Sequence, residues 1–224
     1  MTYILHLETA TKVCSIALSK DGELIALKEI AEENYSHAEN ITLFIEDVLK
    51  QAEISIKDLH AVSVSSGPGS YTGLRIGVST AKGLCYPLNI PLIAIDSLKA
   101  LSEIARIQHP NTNLCPLIDA RRMEVFNAIY SEKGEQIKPI SADIIDDNSY
   151  SAFEPFVYFG DGADKLQEIW KGRNCTIDSS ILSSAKGQVS VAYKKFLAQD
   201  YEDVAYFEPF YLKDFVAGKK VNQG

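Results

Sequence analysis

The chain has 224 residues, 46% of them hydrophobic and 23% charged, which suits a soluble globular protein of two compact lobes of roughly 100 residues each. Met1-Thr2-Tyr3 leads directly into a strand pattern and no apolar run approaches the about 18 residues of a membrane span, so a cytoplasmic chain without membrane partners is expected. The formal net charge of −8 excludes broad nucleic-acid binding, because RNA affinity rests on Lys and Arg neutralising phosphates; any RNA would have to be held by a partner.

In chain order, Tyr3 to Leu7, Val13 to Ser19 and Leu24 to Ile30 read as three strands of an antiparallel meander, with Lys20-Asp21-Gly22 as a hairpin turn. Ser36 and Glu39 form a capping box for a helix to about Ala52 whose apolar face carries Ile41, Phe44, Ile45, Val48 and Leu49. Ala61 to Ser65 is short, apolar and β-branched, as an interior strand should be. A glycine-rich helix, a strand from Pro91 to Ile95 and a helix from Ser97 to about Ile107 complete the order βββαβαβα.

The pattern then restarts. Pro116-Leu117-Ile118-Asp119-Ala120 parallels Leu5-His6-Leu7-Glu8-Thr9, and Val125 to Ser131 with Glu132-Lys133-Gly134-Glu135 parallels Cys14 to Ser19 with the first hairpin turn. This second copy reads as degraded, with a shortened strand set, a strand near Phe156 to Phe159, the turn Gly160-Asp161-Gly162, a helix to about Trp170 and another from Val189 to Ala198. The expected fold is α/β, two ribonuclease-H-like lobes of the actin-like ATPase superfamily, the second degenerate. The boundaries fall at 1–108 and 109–217, with a loose tail at 218–224.

The junction Ser65-Ser66-Gly67-Pro68-Gly69-Ser70-Tyr71-Thr72-Gly73-Leu74-Arg75-Ile76-Gly77 joins a strand to a helix. Gly67 and Gly69 permit positive φ, and Ser70 or Thr72 can cap the helix, whose free N–H groups would suit an anion. The spacing is neither a dinucleotide fingerprint nor a Walker loop. Gly73, Gly77 and Ala81 recur every fourth residue as a small-residue stripe, the usual mark of close helix packing. With Arg75, and with His37, Ile41, Phe44, Ile45 and Val48 on the preceding helix, the stripe is the expected partner interface.

Catalytic chemistry is sparse. Cys14, Cys85, Cys115 and Cys175 form no Cys-x-x-Cys pair, and His6, His37, His60 and His109 form no His-x-x-x-His pair, so no metal or other cofactor is expected. Glu8 and Asp119, each ending the first strand of its copy, and Asp161 are candidate cleft acids, vestigial rather than catalytic. No Gly-x-Ser-x-Gly elbow is present.

Leu7-Glu8-Thr9-Ala10-Thr11, the helix after Ser36-His37, the glycine-rich junction, Asp119-Ala120-Arg121 with Glu124-Val125, and Pro209-Phe210-Tyr211-Leu212-Lys213 together resemble the bacterial TsaB family, also called YeaZ, over nearly the whole chain. The resemblance implies an actin-like protein that helps install threonylcarbamoyladenosine in tRNAs reading codons that begin with adenine. It implies a noncatalytic partner of the catalytic paralogue TsaD, working beside the ATPase TsaE with adenylate supplied by TsaC and meeting tRNA only through the complex; pairing with a second copy in isolation is the expectation that the small-residue stripe raises. Two departures, Glu8 for the family's frequent aspartate and Lys213 for its usual arginine, keep the charge. An actin-like small-molecule kinase or ATPase is the alternative. An M22-type glycoprotease fits less well, because the helix offers only His37 where the catalytic paralogue has a metal-binding pair.

Overall fold

The computed structural model describes residues 1–31 and 37–213; the expected Ser36 cap and the tail at 218–224 lie outside them. β1 (Tyr3–Glu8), β2 (Val13–Lys20) and β3 (Glu23–Ala31) form the antiparallel meander, with Asp21 and Gly22 turning the second hairpin at φ of 51° and 86°. β4 (Ala61–Gly67) pairs parallel with β1 and β5 (Leu92–Asp96) parallel with β4, giving the order β3-β2-β1-β4-β5. Parallel neighbours need crossover connections, and α1 (His37–Gln51) and α2 (Tyr71–Leu88) supply them on one face of the sheet.

The second sheet repeats the first. β6 (Asn113–Asp119), β7 (Glu124–Tyr130), β8 (Gln136–Ile144), β9 (Phe156–Phe159) and β10 (Cys175–Asp178) take the order β10-β9-β6-β7-β8 with the same pairing senses. The strand set is therefore not shortened, and the degeneracy lies in the helices. Where a helix to Trp170 was expected, the described residues form one short 3-10 turn, Asp164–Leu166, followed by turns. Gly160 and Gly172, at φ of 99° and 80°, leave the helical conformation at either end of that run.

The helices also cross between lobes. α3 (Ser97–Gln108) follows the first sheet but buries Leu98, Leu101, Ile104 and Ala105 against Leu114, Ile118, Phe126 and Phe159 of the second. α4 (Val189–Leu197) follows the second sheet but sets Ala192 among Ile4, Ala61, Ile93 and Ile95 of the first. A boundary at 108/109 separates the sheets but cuts each from a helix that covers it.

Side chains alternate across the first sheet with a period of two. Leu5, Leu7, Ile16, Val62 and Val64 pack under α1 and α2. His6, Glu8, Ser15, Ser19, Ser63 and Ser65 share the opposite face and are all buried.

Candidate functional site

The glycine-rich junction is closed by the chain's own backbone. Ser70 caps α2 by accepting the Gly73 N–H at 3.2 Å, and its own N–H donates to Ala10 O at 2.6 Å. A Cβ on Gly69 would collide with Ala10 O, and one on Gly67, at φ 112°, would lie 2.5 Å from Phe210 O. Phe210 N–H also donates to Ser66 O at 2.7 Å. The space expected to take an anion beside Gly67, Gly69 and Ser70 is thus filled by β1–β2 and by the C-terminal segment, while Thr72 points to solvent.

The small-residue stripe faces inward. A Cβ on Gly73 would strike Thr9 O, and one on Gly77 would strike Thr9 Oγ1 and stand 3.3 Å from Val64 Cγ2; Ala81 is wholly buried. The expectation that this stripe meets a partner is corrected: it lets α2 sit against β1 and β4, which a larger side chain would prevent. Ile41, Phe44, Ile45 and Val48 are likewise spent in the core beneath α1, and His37 is buried, donating Nε2–H to Thr11 O at 2.8 Å. Burial holds the His37 pKa below its ordinary value, partly offset by that bond.

Of the expected interface residues, Arg75 alone is exposed. It lines a groove of about 420 Å³ between α1 and α2 with Thr42, Ile76, Ser79 and Thr80. Its guanidinium lies 4.0 Å from the Tyr71 ring centroid and donates from Nε to Tyr211 Oη at 3.2 Å. Sequence reading missed that partner because Tyr211 is distant in the chain. The closing segment ties both lobes: Glu202 bridges to Leu92, Val204 and Phe207 join the first core, Leu212 joins the second, and Lys213 pairs with Glu124.

Of the three candidate acids, Asp161 stands near both others: it accepts the Asp119 N–H, and its charge acts on Glu8. Glu8 is buried, accepting from Ala10 N–H at 2.8 Å and from Ser65 Oγ; burial raises its pKa, against the pull of these bonds. Asp119 is exposed and paired with Lys165. Asp161 is exposed, accepts the Asp119 N–H at 3.0 Å, and lines an interlobe cavity of about 250 Å³ with Thr11, Lys12 and Leu182. The expected equivalence of Glu8 and Asp119 slips by one residue. Leu5 and Leu7 face the α1–α2 layer, whereas Cys115 and Leu117 face the corresponding layer of the second lobe, so Ile118 is the residue that matches Glu8.

Glu8 belongs instead to a buried polar chain that sequence reading did not find. Gln188 donates from Nε2 to Ser65 Oγ at 3.0 Å and to Leu7 O at 2.9 Å, and accepts from Ser63 Oγ at 2.7 Å. Because the Ser63 proton goes to Gln188, His6 Nδ1 must donate to Ser63 Oγ (2.7 Å) and its Nε2 accept from Ser19 Oγ (2.8 Å). Burial depresses the His6 pKa to about 3, keeping the ring neutral. This chain docks the segment before α4 onto the first sheet; its signal in the sequence is the alternation His6-x-Glu8 opposite Ser63-x-Ser65.

A family profile described as "TsaD: tRNA N6-adenosine threonylcarbamoyltransferase" matches residues 29–219. The "tRNA threonylcarbamoyladenosine biosynthesis protein TsaB" of Escherichia coli is 29% identical, with 97% of each chain covered. The protein of the same name from Bacillus subtilis is 34% identical over 61% of this chain and 59% of its own. Among solved structures, YeaZ from Pseudomonas aeruginosa superposes with a TM-score of 0.79 at 24% identity, covering 95% of this chain and all of that one. An activator of 2-hydroxyisocaproyl-CoA dehydratase from Clostridium difficile reaches a TM-score of 0.54 at 10% identity, covering 90% and 99%. Both share the fold, a pair of ribonuclease-H-like lobes of the actin-like type. Among the described residues no helix is long and apolar enough to cross a membrane.

Proposed function

This chain belongs to the TsaB (YeaZ) family, within the wider group that the TsaD profile describes, and from that premise we propose that it is the noncatalytic subunit of a tRNA threonylcarbamoyladenosine-forming complex. Its role is to bind and support the catalytic TsaD-type paralogue, with a TsaE-type ATPase as further partner and tRNA engaged through the assembly. The observation that carries the noncatalytic part is the state of Glu8, which is buried and has both carboxylate oxygens engaged by Ala10 and Ser65, so neither is presented to a substrate. Asp119 is likewise committed to Lys165. The partner surface is the exposed groove between α1 and α2 around Arg75, Ile76, Ser79 and Thr80, rather than the buried stripe. The same groove would pair two copies of this chain when the paralogue is absent.

The test is reconstituted tRNA modification with Asp119→Asn and Glu8→Gln. Both variants should keep rates within severalfold of wild type, whereas a catalytic acid or metal ligand would lose about 10²-fold or more. A loss of that size with assembly intact would move the chemistry into this chain and favour the kinase reading.

A further inference from the structure

The turn between β6 and β7 places Arg121 and Arg122 at φ of 72° and 54°. Asn and Gly take that left-handed conformation readily; arginine does so under strain, and two in succession need external support. The support is visible. Lys165 Nζ donates to the carbonyls of Arg122 at 2.9 Å and Glu124 at 2.7 Å, and Arg121 N–H donates to Asp119 Oδ1 at 3.2 Å. Both arginines are exposed, and neither side chain makes an ion pair or hydrogen bond among the described residues. The two nearest carboxylates in the chain are already taken, Asp119 by Lys165 and Glu124 by Lys213. The fold therefore braces the backbone of the tip, leaves two exposed guanidinium groups unpaired, and gives each flanking carboxylate a lysine, with Asp161 standing behind Asp119 beside the same Lys165.

We infer that this hairpin tip contacts the phosphodiester backbone of tRNA. The inference rests on the function proposed above and supplies what that reading lacks, a point at which a chain of net charge −8 can touch a polyanion. Guanidinium groups bind phosphate oxygens through paired N–H donors, and two neighbours on a narrow turn suit consecutive phosphates of one strand. Met123 and Ile144, exposed beside the tip, would also suit an acidic protein surface. Neutralising both flanking acids matters more for an approaching polyanion, whose many charges would feel them, than for a single carboxylate.

The experiment uses the assembled complex and unmodified tRNA, comparing wild type with R121N/R122G and R121K/R122K. The Asn-Gly variant relieves the strain, so its Tm should hold or rise, while tRNA affinity falls about tenfold near 100 mM salt and the slope of log affinity against log salt shrinks by about 1.5 to 2. The Lys-Lys variant should retain the slope. Unchanged affinity and slope in the Asn-Gly variant would overturn the inference, as would loss of complex assembly with tRNA affinity intact once assembled, which would mark a protein contact instead. Failure of the wild-type complex to bind or modify tRNA would bring down the functional reading itself, and is distinguishable because no variant is needed to see it.

Discussion

The two lobes share a sheet topology and differ in what covers it. Over one face of the first sheet lie two α-helices, α1 and α2, in a continuous aliphatic core; over the matching face of the second lie turns anchored by Trp170, which packs edge-on against Tyr150, Phe156 and Tyr158. The other faces differ in polarity. The first carries the His6, Glu8, Ser63 and Ser65 ladder that receives Gln188, whereas the second carries Leu114, Ile118, Phe126 and Phe159 beneath α3. Strand order is held by backbone pairing and tolerates such exchange, while each cover is held by a few side chains and can be replaced piece by piece. The helical lobe carries an external groove beside Arg75; the turn-covered lobe presents a hairpin tip whose backbone is braced by Lys165.

If stability in the second lobe rests on one aromatic anchor, Trp170→Ala should be the most damaging truncation, at about 5 kcal/mol, whereas Phe44→Ala, one of many apolar residues under α1, should cost about 3 kcal/mol. Chemical denaturation of both variants measures the contrast, and equal losses would erase the distinction between a plug and a distributed core. Next in size, Gly77→Ala should destabilise the isolated chain by about 1–3 kcal/mol, since the new methyl meets Thr9 and Val64. A variant of normal stability that lost only partner binding would return the stripe to the surface.

The polar ladder of the first lobe predicts a smaller, pH-dependent effect without counterpart on the apolar face of the second. His6 stays neutral to about pH 3, so its contribution is full above its ordinary value of 6.5 and is lost as pH falls below that. Glu8 runs the other way: its raised pKa means its contribution is full below the ordinary 4.5 and is lost as pH rises from there towards the folded value. From pH 4.5 up to the folded-state value of Glu8, and below the 6.5 of an ordinary histidine, the two slopes oppose each other. Glu8→Gln removes one, so on acidification across that window it should lose stability more steeply than wild type. Identical pH profiles for the two proteins would mean that Glu8 titrates as it does in the unfolded chain.

Much of this comparison is legible in the sequence, for reasons that also mark where it stops. The meander, the interior strand Ala61 to Ser65 and the internal repeat are local patterns of period two and turn chemistry, and these carry through to the observed sheets. The short strand β10 and the loss of a helix before Trp170 escape because four residues carry little periodicity and because Ala163, Leu166 and Trp170 mimic helical spacing while packing as turns. Side chains facing inward at a close crossing look the same in sequence whether the neighbour is another protein or the same sheet, which is how Gly73, Gly77 and Ala81 misled. Gln188 on Ser65, and Tyr211 on Arg75, join residues too far apart for any local pattern to register.

The smallest expected effect tests how the lobes are tied. Lys213 is the last described residue of a segment anchored mainly in the first lobe, and its ion pair with Glu124 reaches the first residue of β7 in the second. The lysine side chain is 40% exposed and the glutamate 23%, so solvent screens the pair and a double-mutant cycle on Lys213→Ala and Glu124→Ala should give a coupling of about 0.5 kcal/mol. The bulk of the tie is apolar, since Val204 and Phe207 enter the first core and Leu212 the second. Leu212→Ala should therefore raise hydrogen exchange at Phe210 N–H, which is bonded to Ser66 O, more than Lys213→Ala does. The reverse order would mean that the lobes are joined through charge at the hairpin rather than through the buried strap, and that the two covers are less independent than their architecture suggests.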